Sequence, residues 1–415
     1  MRVSVIGAGY VGLVSAAGFA KLGNEVTLID IDAEKVVAIN AGKSPIYEEG
    51  LDDILQEIRL EAGTDFSRAA DGEVIFICVG TPSNADNSIN LEQLKGASEA
   101  VAGMLKAKAD YGVVCVKSTV PPGTTDSIVT PILEQSGKRA GRDFGVCMCP
   151  EFLREGKAVY DFLHPARVVI GEYDKHSGDI LHDLYRVQGA PVFRTDLRTA
   201  EMIKLASNAF LATKISFINE IGNICKTLGI DTYDVAEGMG LDERIGRSFL
   251  NSGIGFGGSC LPKDLKMIIA GAREMGYEAA ILKHILELND IQAVKLVELL
   301  KKHVSLKGAV IGVLGLAFKP DTDDVRDSRA INIVQALLDG GARVKACDPM
   351  AEKNFRRLFP GIDYVSKEES LKADAVLIVT EWAEFNDLDY KGKIVIDGRR
   401  VPKAMEARIY EGVCW

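Results

Sequence analysis

The chain has 415 residues, 47% of them apolar and 26% charged, and a formal net charge of −10 at pH 7. This length and apolar share predict two or three domains with sizeable cores, and the acidic balance argues against general nucleic-acid binding. No apolar run approaches the ~18 residues of a membrane span, and Met1-Arg2-Val3-Ser4-Val5-Ile6 reads as a strand, not a signal peptide. The eight cysteines (78, 115, 147, 149, 225, 260, 347 and 414) are scattered, with no zinc-ligand spacing and no histidine cluster. They read as reduced thiols of a cytoplasmic protein, and no metal site is expected.

The first predicted domain runs over 1–196. Val3-Ser4-Val5-Ile6 leads directly into Gly7-Ala8-Gly9-Tyr10-Val11-Gly12, an alanine-rich helix to Leu22, and a second strand ending in Asp30. A GxGxxG between strand and helix, with an acid at the end of the next strand, is a strong dinucleotide signature. The glycines let a pyrophosphate sit on helix N–H groups, while Asp30 suits ribose hydroxyls and repels the extra phosphate of NADP. The cofactor expected is therefore NAD. Lys35 either lies over the adenosine phosphate or ribose or is a solvated helix lysine. Further strands are predicted at 73–79, 112–117, 146–148, 167–171 and 191–193. In such sheets ligands bind outside the carboxyl ends of the strands. Thr81 and Thr119 stand there, as contacts to a nicotinamide ribose or a water, or as plain turn residues. Pro150-Glu151-Phe152-Leu153-Arg154-Glu155-Gly156 follows the 146–148 strand and offers two carboxylates as a base and a ligand contact.

From residue 197 to about 300 the apolar period becomes helical, predicting an all-helical domain around one long spine helix. Met202, Leu205, Ala209, Ala212, Ile215, Phe217, Ile221 and Ile224 mark its apolar positions, with Thr199 as cap and Gly229 as end. Lys204 and Asn208 are four apart, so one face carries an ammonium and an amide together. Then comes Gly253-Ile254-Gly255-Phe256-Gly257-Gly258-Ser259-Cys260-Leu261-Pro262-Lys263-Asp264. Proline suits a first helical turn, placing Ser259 or Cys260 at the cap, where the helix N-terminus and Lys263 favour a thiolate. The glycines leave room for a close approach to the backbone. The last predicted domain, 301–415, repeats strand, glycine turn and strand-ending aspartate (Asp348) with a degraded glycine signature. The fold class is α/β: two doubly wound Rossmann-like domains joined by a helical one. Lys319, Arg326 and Arg399 lie in loops or strand ends, where they either neutralise phosphates or are surface charges.

Taken in order, GAGYVG at 7–12, VGTP at 79–82, KSTVPPGT at 117–124, PEFLREG at 150–156, the Lys204/Asn208 helix, GFGGSCLPKD at 255–264, LAFKPDTDDVRDS at 316–328 and IDGRR at 396–400 resemble the UDP-glucose/GDP-mannose dehydrogenase family along the whole chain. The resemblance implies oxidation of a primary alcohol on a nucleotide sugar to a carboxylate with two NAD in succession. It casts Cys260 as nucleophile, Lys204 and Asn208 as oxyanion donors, Asp264 with Thr119 as holders of a water, and Glu151 as general base. It further implies that Phe152, Leu153, Arg154 and Glu155 wrap sugar and cofactor. By the same resemblance Phe249, Leu250, Asn251, Ser252, Gly253 and Gly257 ring the nucleotide, Lys319 and Arg399 bind UDP, Lys263 and Arg326 touch NAD, and Arg244 reaches a neighbouring subunit's sugar in a homodimer or larger assembly. Cys149 departs from the family's usual asparagine. Phe162-Leu163-His164-Pro165-Ala166-Arg167-Val168-Val169 resembles the UDP-glucose type, with GDP-mannose, or a two-electron 3-hydroxyacid, as the alternative substrate.

Overall fold

The computed structural model describes all residues, Met1–Trp415. The chain divides into two compact units, Met1–Ala206 and Ser207–Trp415. The 32-residue helix Leu197–Leu228 runs from the first into the second. No helix is long and apolar enough to cross a membrane.

The first unit is built on eight strands: β1 (Arg2–Ile6), β2 (Glu25–Ile29), β3 (Glu61–Gly63), β4 (Val74–Ile77), β5 (Val113–Val116), β6 (Gly145–Met148), β7 (Val168–Glu172) and β8 (Val192–Thr195). Their order is β3-β2-β1-β4-β5-β6-β7-β8, and every pair is parallel except β6 with β7. Buried on both faces, β4, β5 and β6 are continuous apolar runs. Alternate residues feed two cores. Val5, Leu28, Phe76 and Cys115 pack with Leu13 and Phe19 on one side, and Ile6, Ile29, Ile77 and Val116 pack with Leu94, Val101 and Leu197 on the other.

The second unit carries β9 (Val310–Leu314), β10 (Arg343–Cys347), β11 (Asp363–Tyr364), β12 (Ala375–Ile378), β13 (Ile394–Asp397) and β14 (Ile409–Gly412). All are parallel, in the order β11-β10-β9-β12-β13-β14, which is the 3-2-1-4-5-6 order of the first six strands again. The expected strands are all present; β3 and β11, too brief for a periodic signal, and β14, whose Ile409-Tyr410-Glu411-Gly412 is not an apolar run, are additional.

The long helix differs in two respects from its periodic reading. It begins at Leu197, and its first turn is held by Asp196, which accepts from the Thr199 N–H at 2.9 Å and hydroxyl at 2.6 Å. Thr199 is therefore not the cap. Met202, Phe217 and Ile224, read as core positions, are exposed, as is Phe210, whereas Glu201, Lys204, Asn208 and Asn219 are buried. The helix buries Leu205, Ala209 and Ala212 as its period predicts, but it also turns polar residues inward and leaves other apolar side chains outside.

Asp348, at the carboxyl end of β10, is a closed knot. Its carboxylate accepts from the N–H groups of Leu316, Ala317, Met350 and Ala351 at 2.7–3.0 Å and from the Trp382 indole at 3.0 Å. Removing a buried acceptor strands these donors. Asp348→Ala should lower the unfolding free energy by about 3 kcal/mol or more in a urea titration; a loss below about 1 kcal/mol would show the knot to be dispensable.

Candidate active site

In the first unit the dinucleotide turn lies where strand order reverses, between β1 and β4. Gly7 has φ +100°, and a Cβ there would meet the Cys78 carbonyl; a Cβ on Gly12 would strike the Gly7 carbonyl at 1.8 Å. Gly9, by contrast, has nothing within 4 Å of such a Cβ. It is the N-cap of the helix Tyr10–Lys21, whose first turn holds no acidic residue. Open space over the N–H groups of an uncapped helix start fits a pyrophosphate, so these residues suit NAD. Tyr10 and Val11 form the first turn. Asp30 is 9% exposed and accepts from Ala8 N–H at 2.5 Å and Asp32 N–H at 2.9 Å, with the Lys35 ammonium at 3.9 Å. The Thr81 hydroxyl donates to the Thr119 carbonyl at 2.8 Å, joining the segments that follow β4 and β5.

Glu151 follows β6 and is 6% exposed, and Lys204 is 3% exposed. The Lys204 ammonium donates to one Glu151 oxygen at 2.7 Å, and the Leu153 N–H donates to the other at 2.6 Å. Burial pushes the Glu151 carboxyl up, but the Lys204 charge and hydrogen bond, the Leu153 N–H and the Lys117 charge together hold it below the ordinary 4.5. Phe152 lies under the Arg167 guanidinium at 3.7 Å and 5.5 Å from the Lys204 nitrogen. Arg154 is paired with Asp161 at 2.6 Å, and Glu155 is half-buried in the same loop. A cavity of about 350 Å³ opens beside Glu151, bordered by Lys117, Arg154 and Arg167.

Two groups here escaped the sequence reading. Glu201, one turn before Lys204, accepts from the N–H groups of Gly123 and Thr125 and so holds the loop that follows Thr119. Lys117, in the KSTVPPGT run, is buried against the Cys149 carbonyl at 3.4 Å and the Tyr185 hydroxyl at 3.1 Å. An acid three residues ahead of Lys204 was the only signal for the first. A lysine ending an apolar strand was the signal for the second.

In the second unit Cys260 is the N-cap of the helix Leu261–Glu274, with Pro262 in the first turn. It is exposed, and the other seven cysteines are buried. Asp264 is 1% exposed; it accepts from the Asn208 amide at 2.6 Å and the Lys263 ammonium at 2.7 Å, and its N–H closes the first turn on the Cys260 carbonyl. Asn208 and Asp264 thus come together, while Lys263 also donates to Asp264.

The glycines ahead of Cys260 serve the protein's own packing, contrary to the expectation of open space. A Cβ at Gly253 would meet the Gly398 carbonyl, at Gly255 the Asn289 side chain, at Gly257 the Asp327 carbonyl, and at Gly258 the Phe318 ring. Asn219 accepts from the Gly253 N–H at 2.7 Å, and its own buried amide nitrogen has no partner. Leu250 and Ser252 are buried and Asn251 is exposed. Phe249, Asp327 and Arg400 all adopt positive φ, of 65°, 48° and 59°. Such strain concentrates in ligand-binding segments. Arg399 donates to the Val379 carbonyl at 2.9 Å, beside Glu381. Lys319 lies 5.8 Å from the Phe318 ring. Arg326 forks onto Asp324, and Arg244, 89% exposed, forks onto Asp242.

The Glu151–Lys204 pair makes a stability prediction. Ionised Glu151, its folded value depressed, contributes stability fully present above the unfolded value of 4.5 and lost as pH falls through the folded value. Lys204→Met strands a buried carboxylate and should cost about 3–5 kcal/mol at pH 7. Without Lys204, burial shifts the Glu151 carboxyl upward in the variant, so acid neutralises the stranded charge there first and that loss should shrink as pH falls. Urea unfolding at pH 7 and pH 5 checks this; a pH-independent loss would contradict it.

Family models match the chain in three consecutive parts: the NAD binding domain of the UDP-glucose/GDP-mannose dehydrogenase family over residues 1–188, its central domain over 198–291, and its UDP binding domain over 312–404. A UDP-glucose 6-dehydrogenase of Haloferax volcanii is 45% identical, with 100% of both chains covered. A GDP-mannose 6-dehydrogenase of Pseudomonas aeruginosa is 37% identical, again over 100% of both. The solved UDP-glucose dehydrogenase of Pyrobaculum islandicum superposes with a TM-score of 0.96 at 44% identity, covering 100% of this chain and 98% of that one. On its strand order, its dinucleotide turn and these matches, the chain belongs to the UDP-glucose/GDP-mannose dehydrogenase family and carries that family's NAD-binding domain.

Proposed function

We propose that this protein is an NAD-dependent dehydrogenase that oxidises UDP-glucose to UDP-glucuronate in two steps of two electrons each. The reading rests on Cys260, the exposed cysteine, set at a helix N-cap one turn from buried Asp264. Dehydrogenation of an alcohol alone requires no thiol; conversion of the resulting aldehyde to an acid gains from one. Bound NAD accepts a hydride in each oxidation. Between the two, the Cys260 thiolate adds to the aldehyde carbon, giving a thiohemiacetal whose oxidation leaves a thioester. Lys204 and Asn208 donate to the oxygen that gains charge. Water, deprotonated by Glu151, then cleaves the thioester, releasing the acid and the thiol, and Asp264 with Thr119 holds a water. The balance is one alcohol, one water and two NAD consumed for one carboxylate, two NADH and three protons.

Glu151 held below its ordinary range is a poor base while Lys204 is on it. When Lys204 turns to the charged oxygen of the adduct, burial is opposed only by the Leu153 N–H and the Lys117 charge, and Glu151 becomes more basic. The base is thereby strengthened in step with formation of the bond it must break.

For the remaining residues the roles proposed follow the family motif: Asp30 and Lys35 at the adenosine ribose, Glu155, Lys263 and Arg326 at NAD, Phe249–Gly253 and Gly257 around the nucleotide, and Lys319 and Arg399 at UDP. The proposed division of labour is 1–196 for NAD, 197–300 for the helical spine, and 301–415 for the UDP moiety. A homodimer along the spine helix is supported by Phe210, Phe217 and Ile224, which repeat every seven residues and are 65%, 46% and 51% exposed. A second copy covering them would remove a hydrophobic stripe from water and give Arg244 a partner to reach.

Two NADH should form per UDP-glucose consumed, and GDP-mannose should be a poor substrate; one NADH per sugar would reject the four-electron reading. Cys260→Ser should bind substrate yet yield no acid, and undiminished acid formation would refute the nucleophile. Lys204→Ala should lose about 10²–10³ in kcat; a near-normal rate would remove Lys204 from the oxyanion role.

A further inference from the structure

The dinucleotide turn and the Glu151 loop are joined by a side chain that belongs to neither motif. Glu48 lies between the helices Ala33–Asn40 and Leu51–Glu57 and is 6% exposed. Four neutral donors converge on its carboxylate. The Tyr10 hydroxyl and the Gly156 N–H, at 2.7 Å, share one oxygen; the Ala158 N–H at 2.6 Å and the Val159 N–H at 3.4 Å share the other. The Gly156 N–H also reaches the Tyr10 oxygen at 2.9 Å, which closes a triangle of Tyr10, Glu48 and Gly156.

Only an acceptor-only group satisfies four donors at once, which is why a carboxylate stands here and an amide would not serve. Burial and the adjacent Glu48 charge both push the Tyr10 phenol upward, so it stays protonated and remains a donor. Gly156 adopts φ +78°, the left-handed turn that brings its N–H round to Glu48 before the helix Ala158–Leu163 begins. Tyr10 is the residue immediately after Gly9, over which a pyrophosphate would sit. Five residues before Gly156 is Glu151, whose carboxylate holds Lys204.

We propose that Glu48 is a positioning residue for the oxidation. It ties the loop 150–158 to the dinucleotide turn, so that seating the cofactor fixes the loop that aims Glu151. The inference rests on the NAD-dependent reading above, yet its test needs no turnover. Hydrogen exchange, followed with and without NAD, reads the link directly. In the unmodified protein NAD should slow exchange at least threefold both at residues 7–15 and at 150–160. In Glu48→Gln the protection at 7–15 should persist at saturating NAD, while that at 150–160 disappears. Tyr10→Phe, which keeps the ring and deletes one donor, should lose part of the same protection, and the double variant should do no worse than Glu48→Gln alone. With UDP-glucose, kcat should fall about tenfold or more in Glu48→Gln while KM for UDP-glucose changes less than threefold. Equal NAD-dependent protection of 150–160 in Glu48→Gln and the unmodified protein, or none in either, would overturn the proposal. If the unmodified protein shows the exchange pattern but does not oxidise UDP-glucose, the substrate assignment fails and the Glu48 link stands.

Discussion

Two opposite charges share the interior of the first unit, and the proposed chemistry depends on them. Glu151 and Lys204 meet at 2.7 Å with almost no exposure. Taking both ions out of water costs several kcal/mol each, and a close contact with good hydrogen bonds roughly offsets this without exceeding it. As a stabilising device the pair is poor, since well-packed apolar residues would do as well. As a device for chemistry it is apt. It stores an ionised carboxylate at neutral pH and an ammonium that a stronger anion can draw away. The helix Leu197–Leu228 supplies the lysine, the segment after β6 supplies the acid, and the Leu153 N–H fixes the carboxylate's second oxygen. Rotating that helix to bury Phe210 and Phe217 would take Lys204 off Glu151.

The two sheets share one strand order but are suited to different ligands, and the difference lies at a few residues. In the first, Gly9 leaves open space at the start of a helix, and Asp30 is engaged only by two nearby N–H groups and distantly by Lys35. In the second, the corresponding turn reads Gly315-Leu316-Ala317-Phe318-Lys319-Pro320. Its helix begins only at Arg329, and Asp348 is consumed by five donors from its own chain. The open helix start and the free strand-end carboxylate that mark the dinucleotide turn of the first sheet are therefore not repeated in this turn. The two sheets share a frame and differ at this turn, and the family model that matches the second is a UDP binding domain.

Strand positions, the dinucleotide turn and the Cys260 cap were legible because each depends on local chemistry: apolar runs, glycine at positive φ, proline in a first turn. Features set by tertiary contact were not. Whether Phe217 faces in or out depends on what lies beside the helix, and the 3.6-residue period is silent on that. The glycines at 253–258 look like a ligand cradle by composition, but each is required by a neighbour's carbonyl or ring. Lys263, Arg154, Arg326 and Arg244 read as groups for a ligand; each is also paired with a carboxylate of its own unit, a contact that charge pattern alone does not indicate. Glu48 carries no motif and becomes visible only once four donors from distant segments are seen to converge on it.

The central claim, that Glu151 releases an acyl group carried by Cys260, is tested most directly by removing the base and looking for the adduct. Glu151→Gln should be mixed with UDP-glucose and excess NAD, quenched in acid, digested, and the Cys260 peptide weighed. The account predicts a burst of two NADH per active site with the peptide heavier by one UDP-glucuronyl group, followed by slow release. Acid formed at the unmodified rate, with the Cys260 peptide unchanged throughout, would contradict it.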